Sequence, residues 1–237
     1  STAAMVQDRL KISAPAIEVE AACAGFVYAL VTAAAYVASG ASDRALVIGG
    51  DANSRIVNPT DPKIFPLFGD GAGAVILEKG EPHQGILAYS MGADGSGGGM
   101  LCRPAGGSAI ELTPEVLAAG KHYMHMDGQG VYRWAVEILR DTVHDVLAAA
   151  KKTTDDLALI IPHQANIRII EQSLNKFLKI PHEKVFNNMD RYGNTSAGSI
   201  PIALDEALAA GKLNRGELLL VSGFGAGLAW GTALVRW

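Results

Sequence analysis

The chain has 237 residues, 49% hydrophobic and 19% charged, enough for one large domain or two similar halves. A net charge of −4 gives no global reason to expect a nucleic-acid partner. Two cysteines, Cys23 and Cys102, are too few for a disulfide framework, and with no secretory signal in view a reducing cytoplasm is the expected location.

Ser1–Leu10 reads as the end of an amphipathic helix, with Ala4, Met5 and Leu10 as its apolar points. Ala16–Glu20 reads as a short strand, followed by a small-residue turn to Gly25 and a long helix ending near Gly40. Residues 21–42 form a run of 22 without a charge. It is rich in Ala and Gly and inserts poorly into lipid, so a helix surrounded by protein is expected and no membrane span. Ala45–Asp51 is a buried strand ending in glycines, Ala52–Phe68 is irregular, and GDGAG at 69–73 opens a strand through Leu77. Gly85–Ala93 is a strand and Asp94–Gly107 a Gly-rich loop carrying Cys102. An amphipathic helix over Gly130–Ala150, a strand over Leu157–Ile161, a helix over Ala165–Leu178 and a strand over Lys184–Asn187 follow. YGNTSAG at 192–198 is a second small-residue turn before a helix to Ala210. Strands at Glu217–Ser222 and Leu228–Trp237 flank GFGAG at 223–227.

This order repeats. Helix, strand, small-residue turn, helix, strand, glycine run, strand describes both Ser1–Leu77 and Ala165–Trp237. GDGAG pairs with GFGAG, and Cys23 falls roughly opposite Thr195–Ser196. The expected fold is α/β, a duplicated unit of two stacked mixed sheets about a pseudo-twofold axis, with the helices after Cys23 and Ser196 back to back between them. The halves are 1–84 and 85–237. The second has a strand, a helix and a strand before its first matched helix, and the first has none. A preceding strand–helix–strand segment is therefore expected, which leaves the first half incomplete at its N-terminus.

Three residues invite chemistry. Cys23 stands where a strand hands over to a helix, and unpaired N–H groups and the helix dipole there favour a thiolate. His163 ends a buried strand in IIPHQAN, and Asn194 lies in the second small-residue turn. Singly, each has a plainer explanation: a small core residue, a satisfied histidine, a turn asparagine. Together, at strand C-terminal ends that converge on one side of the sheets, they suit acyl transfer to a thiol followed by carbon–carbon bond formation. His163 and Asn194 would hold an enolate oxygen, and backbone N–H groups near Cys23 and in GFGAG would form an oxyanion hole. His122-x-x-His125 has helical metal-ligand spacing but no third ligand, so no metal site is expected. GDGAG leads into a strand and lacks a third glycine, so it is no phosphate loop.

EAACAGF (20–26), FGDGAGAVIL (68–77), PHQANIRII (162–170), RYGNTSAGSIPIAL (191–204) and GFGAGLAWGTALVRW (223–237) resemble β-ketoacyl-acyl-carrier-protein synthase III of the thiolase superfamily. The resemblance spans the whole chain and implies the thiolase-like layered αβαβα fold. It implies a catalytic triad at Cys23, His163 and Asn194. It also implies acetyl transfer from acetyl-CoA to Cys23, then decarboxylative condensation with malonyl-acyl-carrier protein, the first step of type II fatty-acid synthesis. The CoA thioester is a substrate, no cofactor is implied, and a homodimer is. Asn at the third triad position differs from the second histidine of elongating ketosynthases and the second cysteine of thiolases. Phe224 resembles the aromatic that abuts the cysteine, and the backbone N–H groups of Cys23 and Ala226 would form the oxyanion hole. Asn166 and Gly128 resemble pantetheine-tunnel positions, and Arg168, Arg133 and Lys176 the basic rim that receives the acidic carrier protein. Arg168 and Lys176 stand eight residues apart, an angular offset of roughly 80° on an α-helix. Pro62-Lys63 occupies the place of the family's adenine-clamping arginine. Two other readings compete: a related acyltransferase to a hydroxyl or amine, and a non-catalytic assembly partner or inactive fragment.

Overall fold

Leu218–Val221 and Leu159–Ile161 are unbroken apolar runs, the pattern of strands buried on both faces. They form the middle of the molecule in a computed structural model that describes residues 1–237. In chain order the elements are α1 (Thr2–Arg9), α2 (Gly25–Ala38), β1 (Arg44–Ala52), β2 (Asp70–Glu78), β3 (Gly85–Ala93), β4 (Leu101–Cys102), α3 (Pro114–Ala118), β5 (His125–Met126), α4 (Gly128–Ala149), β6 (Leu159–Pro162), α5 (Ile167–Ile170), α6 (Met189–Tyr192), α7 (Ser199–Ala209), β7 (Leu218–Gly225) and β8 (Ala229–Arg236). Single 3₁₀ turns at Ala22–Ala24 and Ser196–Gly198 lead into α2 and α7, and π-helical turns at Glu171–Phe177 continue α5.

The larger sheet has the order β3-β8-β7-β6, with β6 and β7 parallel and the other pairs antiparallel. Alternation along its central strands divides the interior in two. Leu218, Leu220 and Ile160 face α4 and the helix of residues 167–177, together with Leu139, Val143, Ile170 and Leu174. Leu219, Val221, Leu159 and Ile161 face the other way, onto Phe26, Val27, Leu30 and Val31 of α2 and Ile200, Ala203 and Leu204 of α7. Val47 of β1 closes that second core from the far side. The layers therefore run α4, four-stranded sheet, α2 with α7, and the antiparallel pair β1-β2. This is the expected α/β layering with one mixed sheet; the second layer, expected as a mixed sheet, is a two-stranded antiparallel ribbon, and β4 and β5 pair as a separate short ribbon.

Several sequence expectations change. Ala16–Glu20 is unpaired and exposed except for a half-buried Val19, so it forms no strand. Its alternation is genuine, but no neighbouring strand lies beside it. Lys184–Asn187 shrinks to one bridge, Val185 with Ile160, because His182–Lys184 turns as 3₁₀ helix. β1 is buried on one face only: Leu46 and Ile48 of β1 and Ile76 of β2 lie exposed on the other, at 42%, 44% and 69%. α2 is buried over its first two turns and opens to solvent by Tyr36. α1 buries nothing, and Met5 and Leu10 face solvent.

The repeat survives with a sharper register. Ala22 and Ser196 each open a 3₁₀ turn at positive φ, +45° and +52°. The Glu20 carboxylate accepts the Ala22 N–H, as the Asn194 Oδ1 accepts the Ser196 N–H. Cys23 is thus equivalent to Ala197. Each turn packs on a glycine of a central strand, Gly223 of β7 against Cys23 and Gly49 of β1 against Ala197. Gly49 pairs with Gly73 and Gly223 with Gly231, so GDGAG is equivalent to the start of β8 and not to GFGAG. The two glycine runs look alike in sequence, but one opens a strand and the other ends the strand before it.

Candidate active site

Cys23 lies in the 3₁₀ turn two residues ahead of α2 and is buried. Small residues make that placement possible. A Cβ on Gly225 would sit 2.7 Å from the Cys23 Cβ and 3.1 Å from its Sγ, so only glycine admits the thiol here. The Ser196 hydroxyl lies 3.4 Å from the Sγ and donates to it. Burial is the main force on the thiol and pushes it up to about 11, with the Asp51 and Glu20 carboxylates adding to the rise and the Ser196 hydrogen bond opposing it. The thiolate expected from the helix start is therefore not the resting form: loss of water costs the anion more than its surroundings return.

His163 follows β6, and its N–H donates to the Ser222 carbonyl of β7 at 2.7 Å, which sets the ring beside Phe224. The two rings meet edge to face at 5.5 Å, and Trp134 backs Phe224 from α4 at 6.4 Å. Burial holds His163 down at about 3, so the imidazole is neutral. Its Nδ1 lies 2.7 Å from the Ser199 Oγ. That hydroxyl also receives the Gln164 N–H at 3.4 Å, and its own proton is free to turn to Nδ1 in the tautomer that leaves Nδ1 bare. In that tautomer Nε2 carries the hydrogen. Ser199 opens α7 and is indistinguishable in sequence from any small residue at a helix start, which is why sequence reasoning missed it.

Asn194 is buried, and its Oδ1 is held by the Ser196 N–H at 2.8 Å. With the oxygen committed, Nδ2 is left as a pair of donors. His163 touches Phe224, Phe224 precedes Gly225, Gly225 abuts Cys23, Cys23 meets Ser196, and Ser196 is tied to Asn194. A thiol and two neutral N–H donors are thus brought into one buried neighbourhood, a set suited to acyl transfer and to holding an enolate oxygen.

A family model described as 3-oxoacyl-[acyl-carrier-protein (ACP)] synthase III matches residues 17–95, and its C-terminal counterpart matches residues 147–237. The chain belongs to this family. The beta-ketoacyl-[acyl-carrier-protein] synthase III of Rhodopirellula baltica is 49% identical over 255 residues, spanning all of this chain and 74% of that relative. The enzyme of the same name from Natranaerobius thermophilus is 44% identical, across all of this chain and 73% of its own length. Among solved structures, the family member from Thermus thermophilus superposes with a TM-score of 0.91 at 36% identity, and that from Aquifex aeolicus with 0.90 at 41%. Each match covers all of this chain and 72% of the solved one.

The outer positions are less closely gathered. Ala226 is half-buried beside Gly225. Gly128 opens α4 behind Asp127, whose carboxylate caps the Gly130 N–H. Asn166 is half-buried and caps α5, its Oδ1 taking the Arg168 N–H at 2.9 Å, which leaves its amide nitrogen as the donor end. Arg133, Arg168 and Lys176 are all exposed. Arg133 lines a cavity of about 240 Å³ together with Tyr132, Gln172 and Phe177. Because residues 171–177 take π geometry, the 80° offset read from an α-helix between Arg168 and Lys176 does not hold. No three His, Cys, Asp or Glu side chains come together as metal ligands, and His122 instead stacks beside Tyr123 at 3.9 Å.

Proposed function

We propose that this chain carries out the family's condensation on Cys23, with His163 and Asn194 as the paired donors of the second half-reaction. The observation that carries the assignment of roles is the unbroken run of contacts from His163 through Phe224 and Gly225 to Cys23, and through Ser196 to Asn194. The Cys23 sulfur attacks the thioester carbonyl of an acyl-CoA, acetyl-CoA as the simplest primer. The new S–C bond forms, the C–S bond to CoA breaks, and the thiol proton leaves with CoA as its free thiol. The CoA thioester is consumed as substrate, and no cofactor is required.

Malonyl-acyl-carrier protein then loses its carboxylate as CO₂, and the electron pair of that bond passes into an enolate. The Nε2–H of His163 and the Nδ2–H of Asn194 donate to the enolate oxygen. Two neutral donors suit this task, since an imidazolium would protonate the carbanion it is meant to hold. The carbanion attacks the acyl carbonyl on Cys23, the S–C bond breaks, and the departing sulfur takes a proton from water. The product is β-ketoacyl-acyl-carrier protein. The backbone N–H groups of Cys23 and Ala226 serve the tetrahedral oxyanions. Arg133, Arg168 and Lys176 are read as the face for the acidic carrier protein, and Asn166 and Gly128 as the lining of the pantetheine path. The same reading makes the protein a cytoplasmic homodimer. No helix is long and apolar enough to cross a membrane.

Intact-mass analysis with acetyl-CoA tests the reading. One acetyl increment is expected, mapped to Cys23 and absent in Cys23→Ala. His163→Ala and Asn194→Ala are expected to keep acylation and to lose malonyl decarboxylation. Loss of both half-reactions to the same degree in those two variants would refute their roles as enolate donors. Acylation without decarboxylation in the unaltered protein would favour the acyltransferase reading.

A further inference from the structure

Asn53 is a buried polar residue with no part in the condensation chemistry. It lies just past the end of β1, in the 3₁₀ turn Asn53–Arg55, and is 3% exposed. Its Nδ2 donates to two carbonyls, Gly69 O at 2.7 Å and Asn194 O at 3.3 Å. Both hydrogens of the amide are therefore spent, one on each of two segments that meet beside it.

Those segments meet at Asn194. The Asn194 N–H donates to Leu67 O at 2.8 Å, and the Gly69 N–H donates to Asn194 O at 2.9 Å. Phe68 and Asn194 thereby form a one-residue parallel bridge. A single bridge has no strand on either side to hold its register. Asn53 supplies what a longer ladder would: it ties the carbonyl of Gly69 on one side of the bridge to that of Asn194 on the other. There is no slack for adjustment at Gly69, where a Cβ would sit 2.2 Å from the Tyr192 carbonyl oxygen. The side chain of Asn194 has one remaining freedom, rotation about its own bonds, and the Ser196 N–H removes that by holding Oδ1. The aim of the Asn194 Nδ2 is thus set by its main chain, and its main chain is clamped by Asn53.

We propose that Asn53 is a positioning residue for Asn194, acting from 141 positions away in the chain to fix the donor that meets the enolate oxygen. The inference rests on the proposed donor role of Asn194. It separates the two half-reactions. Cys23 is packed on Gly225 and bonded by Ser196, and Asn53 reaches it only through Asn194 and Ser196, so acylation is expected to feel the clamp far less than the Asn194 donor does.

The test measures acylation of Cys23 and malonyl decarboxylation separately in Asn53→Leu, Asn194→Ala and the double variant. Asn53→Leu keeps bulk and removes both donors. Acylation is expected within about twofold of the unaltered protein, while kcat for decarboxylation falls about 10- to 100-fold, the scale of an ångström of misplacement, with KM for the malonyl substrate little changed. The double variant is expected to be no slower than Asn194→Ala, because the two residues act through one group. Additive losses would overturn the proposal, as would a decarboxylation rate untouched in Asn53→Leu when Asn194→Ala is slow. If Asn194→Ala itself decarboxylates normally, the role of Asn194 falls first and that of Asn53 with it. Should Asn53→Leu lose acylation as well, Asn53→Ser, which adds no bulk, decides on the same split, and equal loss there refutes the clamp.

Discussion

Alkylation of Cys23 as a function of pH separates two accounts of the nucleophile. A thiol resting at about 11 is roughly one part in a thousand ionised at pH 8, against about one in ten for a thiol at its ordinary 9.0. That factor of about 100 is not lost whole, because the more basic thiolate is the better nucleophile. With a Brønsted slope of about 0.45, a pKa higher by about two returns nearly a factor of eight. The net expectation is a rate about 12-fold below that of an ordinary thiol at pH 8. Access through the buried surroundings lowers the rate further but leaves its pH dependence alone. The decisive quantity is therefore the slope: log rate against pH should rise with unit slope from about pH 7 to beyond pH 9. Iodoacetamide supplies the probe, and peptide mass mapping counts Cys23 and Cys102 separately. A plateau for Cys23 below pH 9 would refute the reasoning and restore the helix-stabilised thiolate. If the slope holds, only about one Cys23 in a thousand is a thiolate at pH 8 before a thioester binds.

Burial of His163 predicts acid sensitivity. Its pKa falls from 6.5 unfolded to about 3 folded, so the unfolded chain binds the proton more readily and stability is lost as pH drops from 6.5 toward 3. At pH 5 the loss is about 2 kcal/mol, and unfolding free energies of the unaltered protein and His163→Gln, from urea titrations, should converge by that amount between pH 7.5 and 5; a pH-independent gap would refute it. Gly225→Ala would put a Cβ 2.7 Å from that of Cys23, so the thiol must move. Acylation is expected to slow by about 10- to 100-fold, with a stability cost of about 1–3 kcal/mol, and an unchanged acylation rate would show that Cys23 has room to shift without consequence.

The proposed trio was legible in sequence because each member sits at a recognisable junction: Cys23 between an extended segment and a helix, His163 after an apolar run, Asn194 in a small-residue turn. The central strands were legible for the same local reason, an unbroken apolar run. What failed depended on partners distant in the chain. Ala16–Glu20 alternates like a strand and has nothing to pair with. Leu46 and Ile48 look like core and lie on an open face, because β1-β2 is covered on one side only. Ser199 and Asn53 carry no local mark, since what matters in each is a contact 36 or 141 residues away. The thiolate expectation erred by weighing the helix dipole, which is readable locally, without the burial, which is not.

The duplicated fold poses its own question: why one of two equivalent turns carries the cysteine proposed as nucleophile. Both have the same 3₁₀ geometry, a first residue at positive φ, a capped N–H and a glycine of a facing strand packed beneath. They differ two residues further along that strand. Beneath Ala197 the strand carries Asp51, whose carboxylate takes the Ala197 N–H at 3.1 Å. Beneath Cys23 the equivalent residue is Gly225, which has no side chain to take the Cys23 N–H and leaves space for the sulfur. A carboxylate at that position would place a permanent negative charge on the Cys23 N–H, closing the proposed oxyanion hole, and push the thiol still higher. The asymmetry between the halves is thus carried by two pairs of residues, Cys23 with Gly225 and Ala197 with Asp51. The same backbone supports an open amide beside a buried thiol in one half and a closed, structural hydrogen bond in the other.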